Sequence, residues 1–307
     1  MKEHSSVTLD FPEAVPAPVR PARHGLAWGA LGILAFSFTV PMTRIAVQGG
    51  LDPTLVGTGR AVVAAALAAV VLAVVRPPRP RGRQWLSVAV VAAGVVLGFP
   101  LLTSLALRTV EASHAAVVIA LLPAVTAVLS CLRTGERPRS RFWWAAGIGA
   151  AAAVGFTVIQ GGGLNGVGPA DLLLLAAVVC CAAGYAEGGV LSRVLGSWQT
   201  ISWALVVAAP FMALLSAQRL THGWPHAEPQ AWLAFAYLCV VSMFLGFLAW
   251  YRGLAIGPLV QVSQVQLAQP LLTLTWSALL LGESIGWATL GGGLVVLACT
   301  ALAVRSR

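Results

Sequence analysis

Long apolar runs separated by short polar loops occupy almost the whole chain from residue 25 to residue 304. A hydrocarbon core about 30 Å thick is crossed by a helix of about 20 apolar residues, and ten runs reach that length. The predicted spans are Gly25–Val47, Thr54–Val75, Trp85–Leu107, Ala112–Leu132, Phe142–Gln160, Asp171–Leu191, Trp198–Ala217, Trp232–Leu254, Leu259–Leu281 and Ile285–Val304.

These runs are continuously apolar and lack the alternation that is typical of membrane barrel strands. Because lipid cannot hydrogen-bond the backbone, a spanning segment of this kind must be a helix. The pattern therefore predicts an all-α membrane protein with ten transmembrane helices.

The composition supports this interpretation, since 58% of the residues are hydrophobic and only 9% are charged, too few to cover a water-soluble globule. The net charge of +9 would suit a nucleic acid, but the arginines lie in short clusters beside the apolar runs, as membrane anchors do. We therefore expect no nucleic-acid partner. The five cysteines lie in apolar stretches without CxxC spacing, so neither a metal site nor a disulfide framework is expected.

Arginine and lysine residues divide unequally between alternate loops. Fifteen lie in the two terminal segments and the even-numbered loops, whereas only Arg44, Arg108 and Arg219 lie in the opposite loops. The positive-inside rule then predicts that both termini face the cytoplasm, as an even number of spans requires. We expect a plasma or inner membrane protein whose residues 1–23 form a disordered cytoplasmic tail.

A shift of 147 residues aligns one part of the chain with the other. The matched positions include Pro123 with Pro270, Gly135 with Gly282, Glu136 with Glu283 and, more loosely, Phe38 with Tyr185. Each copy holds five spans, an odd number, so the second copy must enter the membrane from the opposite side. We therefore predict two inverted five-helix repeats, residues 24–160 and 171–304, joined by a linker over residues 161–170. Such halves can exchange conformations around a site near the midplane.

Two five-helix copies, each with a proline followed twelve residues later by Gly-Glu, resemble the EamA-type drug/metabolite transporter superfamily. The segments are Pro123 to Glu136 and Pro270 to Glu283. Arg60-Ala-Val also looks like the second-helix arginine of that family, and the stretch from Trp250 to Ala255 looks like its end of helix eight. The resemblance covers residues 25–304. It implies export of metabolites, amino acids or drugs through a central cavity between the halves, without a cofactor, and it does not identify the substrate.

Polar side chains within the spans are the candidate site residues, since a polar group in hydrocarbon is costly unless it is paired or lines a wet cavity. Gln266 and Gln269 share a helix face beside Pro270, so we expect them to contact substrate; Gln264 points elsewhere. Hydrogen bonding between helices is the alternative for these amides. Pro123 and Pro270 free backbone carbonyls within their helices, and their matched positions favour a gating role over tolerated kinks.

Arg60 lies about two turns into the second span, where its guanidinium could bind a substrate carboxylate through two hydrogen bonds. Snorkelling, or an ion pair with Asp52, is the alternative. Phe38 and Tyr185 occupy repeat-equivalent positions and could stack on a planar or amphipathic ligand. Trp250 is included with them as a substrate contact, although interface aromatics are the default at that end of a span.

Glu187 is the only acid well inside a predicted span, which makes it the candidate for proton coupling. Pairing with Arg193 near the headgroups is the alternative. His114 begins the fourth span, where it is either an interface histidine or part of a proton relay. Glu136 and Glu283 end helices on opposite faces of the membrane, and for both we favour structural pairing with nearby arginines.

Together these observations predict a secondary transporter that exports a small organic metabolite, such as an amino acid or a drug-like compound, by alternating access with proton coupling. An intramembrane enzyme acting on lipid is one alternative, but the scattered His, Asp and Glu residues form no catalytic constellation. A passive channel or a membrane scaffold is the other. The expected partners are a small-molecule substrate and the lipid bilayer, and the sequence leaves open whether two copies form a homodimer.

Overall fold

The structure, a computed structural model, describes residues 22–134, 140–160, 168–221, 223–257, 262 and 265–305. Within these ranges all regular secondary structure is helical. Seven helical segments of the described residues are long and apolar enough to cross a bilayer. They are His24–Gln48, Pro53–Val75, Gln84–Ala106, Ala112–Arg133, Pro169–Val194, Ser197–Leu220 and Pro229–Ile256. The all-α prediction is therefore confirmed for the described residues.

Several of these segments consist of two shorter helices. The N-terminal part of the chain contains α1 (Ala22–Ser37), α2 (Thr39–Gln48), α3 (Pro53–Val75), α4 (Gln84–Val91), a first π segment (Ala92–Gly98), α5 (Phe99–Ala106), α6 (Ala112–Ile119), α7 (Leu122–Thr134) and α8 (Ser140–Gln160). The C-terminal part contains α9 (Pro169–Val194), α10 (Ser197–Leu220), α11 (Pro229–Tyr237), a second π segment (Leu238–Leu245), α12 (Gly246–Ile256), a 3₁₀ turn (Gln266–Ala268), α13 (Gln269–Leu281) and α14 (Trp287–Arg305).

Proline explains most of the interruptions. Pro41 lies in the first turn of α2 and cannot donate to the carbonyl of Ser37, four residues earlier. That carbonyl accepts a hydrogen bond of 2.9 Å from Oγ1 of Thr273 instead. Pro123 and Pro270 lie in the first turns of α7 and α13, directly after a break, and Pro100 lies in the first turn of α5, directly after the first π segment. The second π segment is followed by Gly246 and has no such proline. At Pro123 and Pro270 the helix ends and restarts, where the sequence predicts freed carbonyls within a single span.

Helices from the two parts of the chain pack lengthwise against each other: α1 on α12, α3 on α10, α8 on α14, and α9 on α4, the first π segment and α5. Small residues allow this close approach, as is usual between membrane helices. A Cβ added at Gly94 would collide with the carbonyl oxygen of Cys180, and one added at Gly253 would lie 2.7 Å from the backbone nitrogen of Gly29. The backbones therefore touch at these two crossings.

The beginning of α3 shows how one predicted span is anchored. Asp52 is its N-cap and accepts a hydrogen bond of 3.0 Å from the backbone N–H of Leu55, while Pro53 occupies the first turn. The same carboxylate lies 3.7 Å from Nε of Arg219. Asp52 is thus used at the helix end and does not pair with Arg60.

Most of the predicted tail and linker, residues 1–21 and 161–167, lies outside the described residues, as do Glu136 and Gln264. Residues 22–23 belong to α1, and residues 169–170 begin α9.

Candidate functional site

A buried cavity, the central cavity, lies where helices from both parts of the chain meet halfway along their lengths. Its walls come from α1, α2, α3, both π segments, α5, α7, α9, α12 and α13. The polar lining residues are Thr39, Arg60, Tyr185, Ser242 and Gln269, and aromatic rings form much of the rest. In this conformation the cavity has room for about one or two water molecules, so a larger ligand needs it to widen.

A second, smaller cavity adjoins the first one and shares Val40, Leu122 and Gln269 with it. Gln266, Pro123 and Pro270 also line this second cavity. The structure therefore brings the two predicted amides and the two predicted gating prolines to one place. They meet where α6 gives way to α7 and where the 3₁₀ turn precedes α13.

Arg60 is the charged residue of the central cavity. Its side chain is only 1% exposed, and neither Nε nor Nη2 has a hydrogen-bond partner among the described residues. None of the ion pairs formed by the described residues includes it. A buried guanidinium without an anion is costly, because its charge is removed from water without compensation. This part of the site therefore favours an anionic group.

The two glutamines also have spare hydrogen-bonding capacity. Oε1 of Gln269 and Nε2 of Gln266 are buried and have no partner among the described residues. Both side chains are at least nine-tenths buried. Such atoms indicate a place where a ligand or water binds, since permanently unpaired polar groups destabilise the protein.

Aromatic rings are among the residues that line the central cavity, namely Phe36, Phe99, Tyr185 and Phe247. Tyr185 meets Phe247 edge-on at 6.1 Å between ring centroids, and Phe247 lies 4.7 Å from Phe36. Trp250 packs behind Tyr185 at 6.1 Å, is almost fully buried and does not line the cavity. The lining of the cavity thus combines aromatic and aliphatic side chains with a few polar ones.

Phe38 lies apart from this group. It forms the turn between α1 and α2 and stacks on Trp276 at 4.4 Å, with Tyr237 at 6.0 Å. Nε1 of Trp276 donates to Oγ of Ser37, which fixes the stack beside the helix break. The structure therefore does not bring Phe38 to the lining of either cavity.

Glu187 forms a polar cluster with residues of two other helices. Nε of Arg133 donates to its Oε2 at 2.6 Å, Nη2 of Arg133 donates to its Oε1 at 3.2 Å, and Oγ of Ser87 donates to the same Oε1 at 2.5 Å. The arginine partner is Arg133 and not Arg193, which is exposed. Three donors from two neighbouring helices therefore hold this carboxylate in the present conformation.

The opposite end of α9 carries a second buried acid. Oδ1 of Asp171 lies 2.7 Å from Nε2 of His114, and Oδ2 accepts from the backbone N–H of Gly168. His114 therefore contacts a carboxylate of the second predicted repeat. Both ends of α9 are joined to the α6–α7 segment through an acid and a basic side chain.

Glu283 interacts electrostatically with Arg44, but its direct hydrogen bonds are to backbone groups. Its two carboxylate oxygens accept hydrogen bonds from the backbone N–H groups of Ala112 and Ser113, at 2.9 and 2.8 Å. It therefore caps the beginning of α6, and no ion pair of the described residues joins it to an arginine.

Sequence reasoning missed several cavity residues. Thr39 and Ser242 share a hydrogen bond of 2.8 Å between their hydroxyl groups, across α2 and the second π segment. Both are small polar residues within apolar runs, and this feature of the sequence could have identified them as candidates. Their partnership joins positions 203 residues apart, which spacing along one helix does not reveal.

A family model described as the EamA-like transporter family matches residues 23–158 of this chain and again residues 168–305. The chain belongs to the EamA-like transporter family. As an EamA protein it carries the family domain twice, which agrees with the resemblance seen in the sequence.

Two similar proteins support this assignment. An uncharacterized transporter, YdeK, of Bacillus subtilis (strain 168) is 46% identical over 277 residues, covering 90% of this chain and 96% of its own. A protein of known crystal structure is 20% identical and superposes with a TM-score of 0.63, covering 92% of this chain and 98% of its own. The first supports a membrane transporter, and the second supports the fold of this EamA chain.

Proposed function

We propose that this EamA protein is a secondary transporter that exports a small organic metabolite, such as an amino acid or a drug-like compound, by alternating access. The observation that carries the proposal is the buried central cavity, which is lined both by Arg60 and Gln269, with their unpartnered polar atoms, and by aromatic rings. Ligand pockets combine an apolar wall with a few convergent polar groups in this way.

Ten spans arranged as two inverted five-helix repeats are part of the proposal. The seven long apolar segments would be completed by α8, by α13 with the residues before it, and by α14. Two further observations support related halves. The shift of 147 residues carries Gly98, at the end of the first π segment, onto Leu245, at the end of the second, and it carries the break before Pro123 onto the break before Pro270.

The orientation follows from the distribution of arginine. With both termini in the cytoplasm, the plasma or inner membrane would hold Glu283, Asp171 and the beginning of α6 at its outer side. Arg133 and Glu187 would then lie at the inner side. Contacts between the two halves at both ends suit a protein that opens one end while it closes the other.

Pro123 and Pro270 are proposed as the gating positions. Each follows a helix break and lines the second cavity together with Gln266 and Gln269. A helix that restarts at a proline can change direction there without breaking further backbone hydrogen bonds. Movement of α7 or α13 about these breaks would alter the lining of both cavities.

Glu187 is proposed as the proton-coupling residue, with His114 as a second candidate. Ser87 and Arg133 hold the carboxylate of Glu187 in the present conformation. Separation of α7 from α9 would remove Arg133, and the partly buried carboxylate would then bind a proton more readily. Protonation would thereby be linked to the opening of this end.

The experiment is a flux measurement with the purified protein in vesicles, against a panel of amino acids, aromatic carboxylates and cationic drugs, with and without a pH gradient. A transporter is expected to give saturable flux of at least one compound that can run uphill. Flux that rises linearly with concentration and never exceeds equilibrium would instead indicate a channel, and no flux of any compound would contradict the proposal.

A separate variant tests proton coupling. Glu187→Gln should abolish uphill flux driven by the pH gradient and leave exchange of substrate across the membrane in place. Glu228→Gln is the matched control, because Glu228 is exposed and accepts no side-chain cap hydrogen bond. If pH-driven uphill flux persists in the Glu187→Gln protein at the level of this control, Glu187 is not the coupling group.

A further inference from the structure

The central cavity holds a positive charge that the described protein does not neutralise. Arg60 is buried, no carboxylate of the described residues forms an ion pair with it, and two of its three guanidinium nitrogens have no hydrogen-bond partner there. Arginine keeps its charge at neutral pH and has no acceptor atoms, so it can only be satisfied by an acceptor. Inside a membrane protein such an isolated charge marks a functional position.

We propose that the substrate is an organic monocarboxylate whose carboxylate binds Arg60 and whose apolar body packs on the aromatic rings that line the central cavity. This inference rests on the proposed transport function and names its substrate class. A planar guanidinium with two free N–H groups matches a carboxylate in geometry as well as in charge.

The rest of the lining fits the same ligand. Phe36, Tyr185 and Phe247 offer apolar ring surface for a hydrocarbon or aromatic body. Oε1 of Gln269 is an unpartnered acceptor in the same cavity and suits a single N–H or O–H donor on that body. No acidic side chain lines the cavity among the described residues, so a ligand with net positive charge would meet Arg60 without compensation.

The test measures binding, which is independent of transport. Thermal unfolding of the detergent-solubilised full-length protein would be followed with four carboxylates, namely acetate, isovalerate, benzoate and 3-phenylpropionate, each beside its neutral amide. We expect benzoate or 3-phenylpropionate to raise the melting temperature at concentrations at least about tenfold lower than its amide, since the amide lacks the charge that strengthens the contact. Benzamidinium, a cation of the same shape as benzoate, should have no effect.

Variants of Arg60 test whether this residue binds the carboxylate. Arg60→Met should remove the difference between each acid and its amide, and Arg60→Lys should restore part of it because the charge returns without the paired N–H groups. Arg108→Met, on an exposed loop, is the control and should respond as the unchanged protein does. Without ligand, Arg60→Met should melt no lower than Arg108→Met, since an isolated buried charge is lost.

The outcomes separate the two proposals. Equal responses to every acid and its amide, or an Arg60→Met protein that melts several degrees below the control without ligand, would overturn the carboxylate proposal. So would chloride alone if it stabilised the protein as much as the carboxylates, because the site would then hold an inorganic ion. Carboxylate binding without flux would leave this inference intact and contradict the transport function. Uphill flux of neutral or cationic compounds alone would leave the transport function intact and contradict this inference.

Discussion

Glu283 holds the beginning of α6, and its replacement by glutamine should loosen this end of the helix bundle. Its carboxylate accepts hydrogen bonds from the N–H groups of Ala112 and Ser113, which lack partners within their own helix. A hydrogen bond to a charged group contributes about 1.5–3 kcal/mol, and a neutral one about 0.5–1.5 kcal/mol. Two such charged hydrogen bonds are lost and glutamine keeps one neutral acceptor, so Glu283→Gln should weaken the contact by about 2 kcal/mol or more.

If the outer end opens by separating α6 from the loop after α13, this loss favours the outward-open conformation. An energy of about 2 kcal/mol corresponds to about a 30-fold change in the equilibrium. Val40 lines both cavities, so a cysteine at this position would report access to them. In a protein whose native cysteines are replaced by alanine, the labelling rate of Val40→Cys by a membrane-impermeant maleimide added outside should rise about tenfold or more with Glu283→Gln.

Glu111→Gln is the matched control for this experiment. Glu111 is an exposed acid at the same end of α6, and its side chain makes no capping hydrogen bond to the helix backbone. Labelling in this variant should stay within about twofold of the unchanged protein. If Glu283→Gln and Glu111→Gln label at the same rate, the carboxylate of Glu283 does not hold this end closed, and our argument about this contact is refuted.

Two further predictions concern packing and the hydroxyl pair. Gly94→Ala should lower the melting temperature, since the new Cβ collides with the carbonyl of Cys180 and overpacking costs about 1–3 kcal/mol. Gly147→Ala is the control, because open space surrounds Gly147. Equal melting temperatures of the two variants would contradict the close crossing. Thr39→Val should lower the free energy of unfolding by about 1 kcal/mol in the same assay, because Oγ of Ser242 loses its buried partner. Thr275→Val, at an exposed position, should lower it less. Equal effects of the two variants would contradict the hydrogen bond.

The sequence predicted the features that depend on local chemistry and on the solvent. Helical spans follow from apolar runs in lipid, and Pro123 and Pro270 mark breaks because proline lacks an N–H group wherever it occurs. The costly positions Arg60, Gln266 and Gln269 were also recognisable, since a polar group in hydrocarbon requires a reason. The structure brings these five residues to the two adjoining cavities.

Features that depend on distant partners were not predictable in the same way. Glu283 reaches the beginning of α6 from about 170 residues further along the chain, and Glu187 meets Arg133 instead of the nearer Arg193. Phe38 matches Tyr185 in the alignment of the halves, yet the break beside it turns its ring onto Trp276. The sequence of one chain does not reveal which of these contact partners is used, because each candidate partner satisfies the same local rule.

The unpartnered amide atoms of Gln266 and Gln269 occur beside a helix break, and this association has a physical reason. A continuous helix satisfies its own backbone in lipid, whereas a break leaves carbonyls that need other donors, as Thr273 supplies to Ser37. Gln266 opens the 3₁₀ turn and Gln269 begins α13, so their side chains lie where the backbone changes direction. Movement at these breaks must therefore also move the polar groups that face the cavities. Binding a ligand there would favour one arrangement of the breaks over the other, which is the differential interaction that a conformational switch requires.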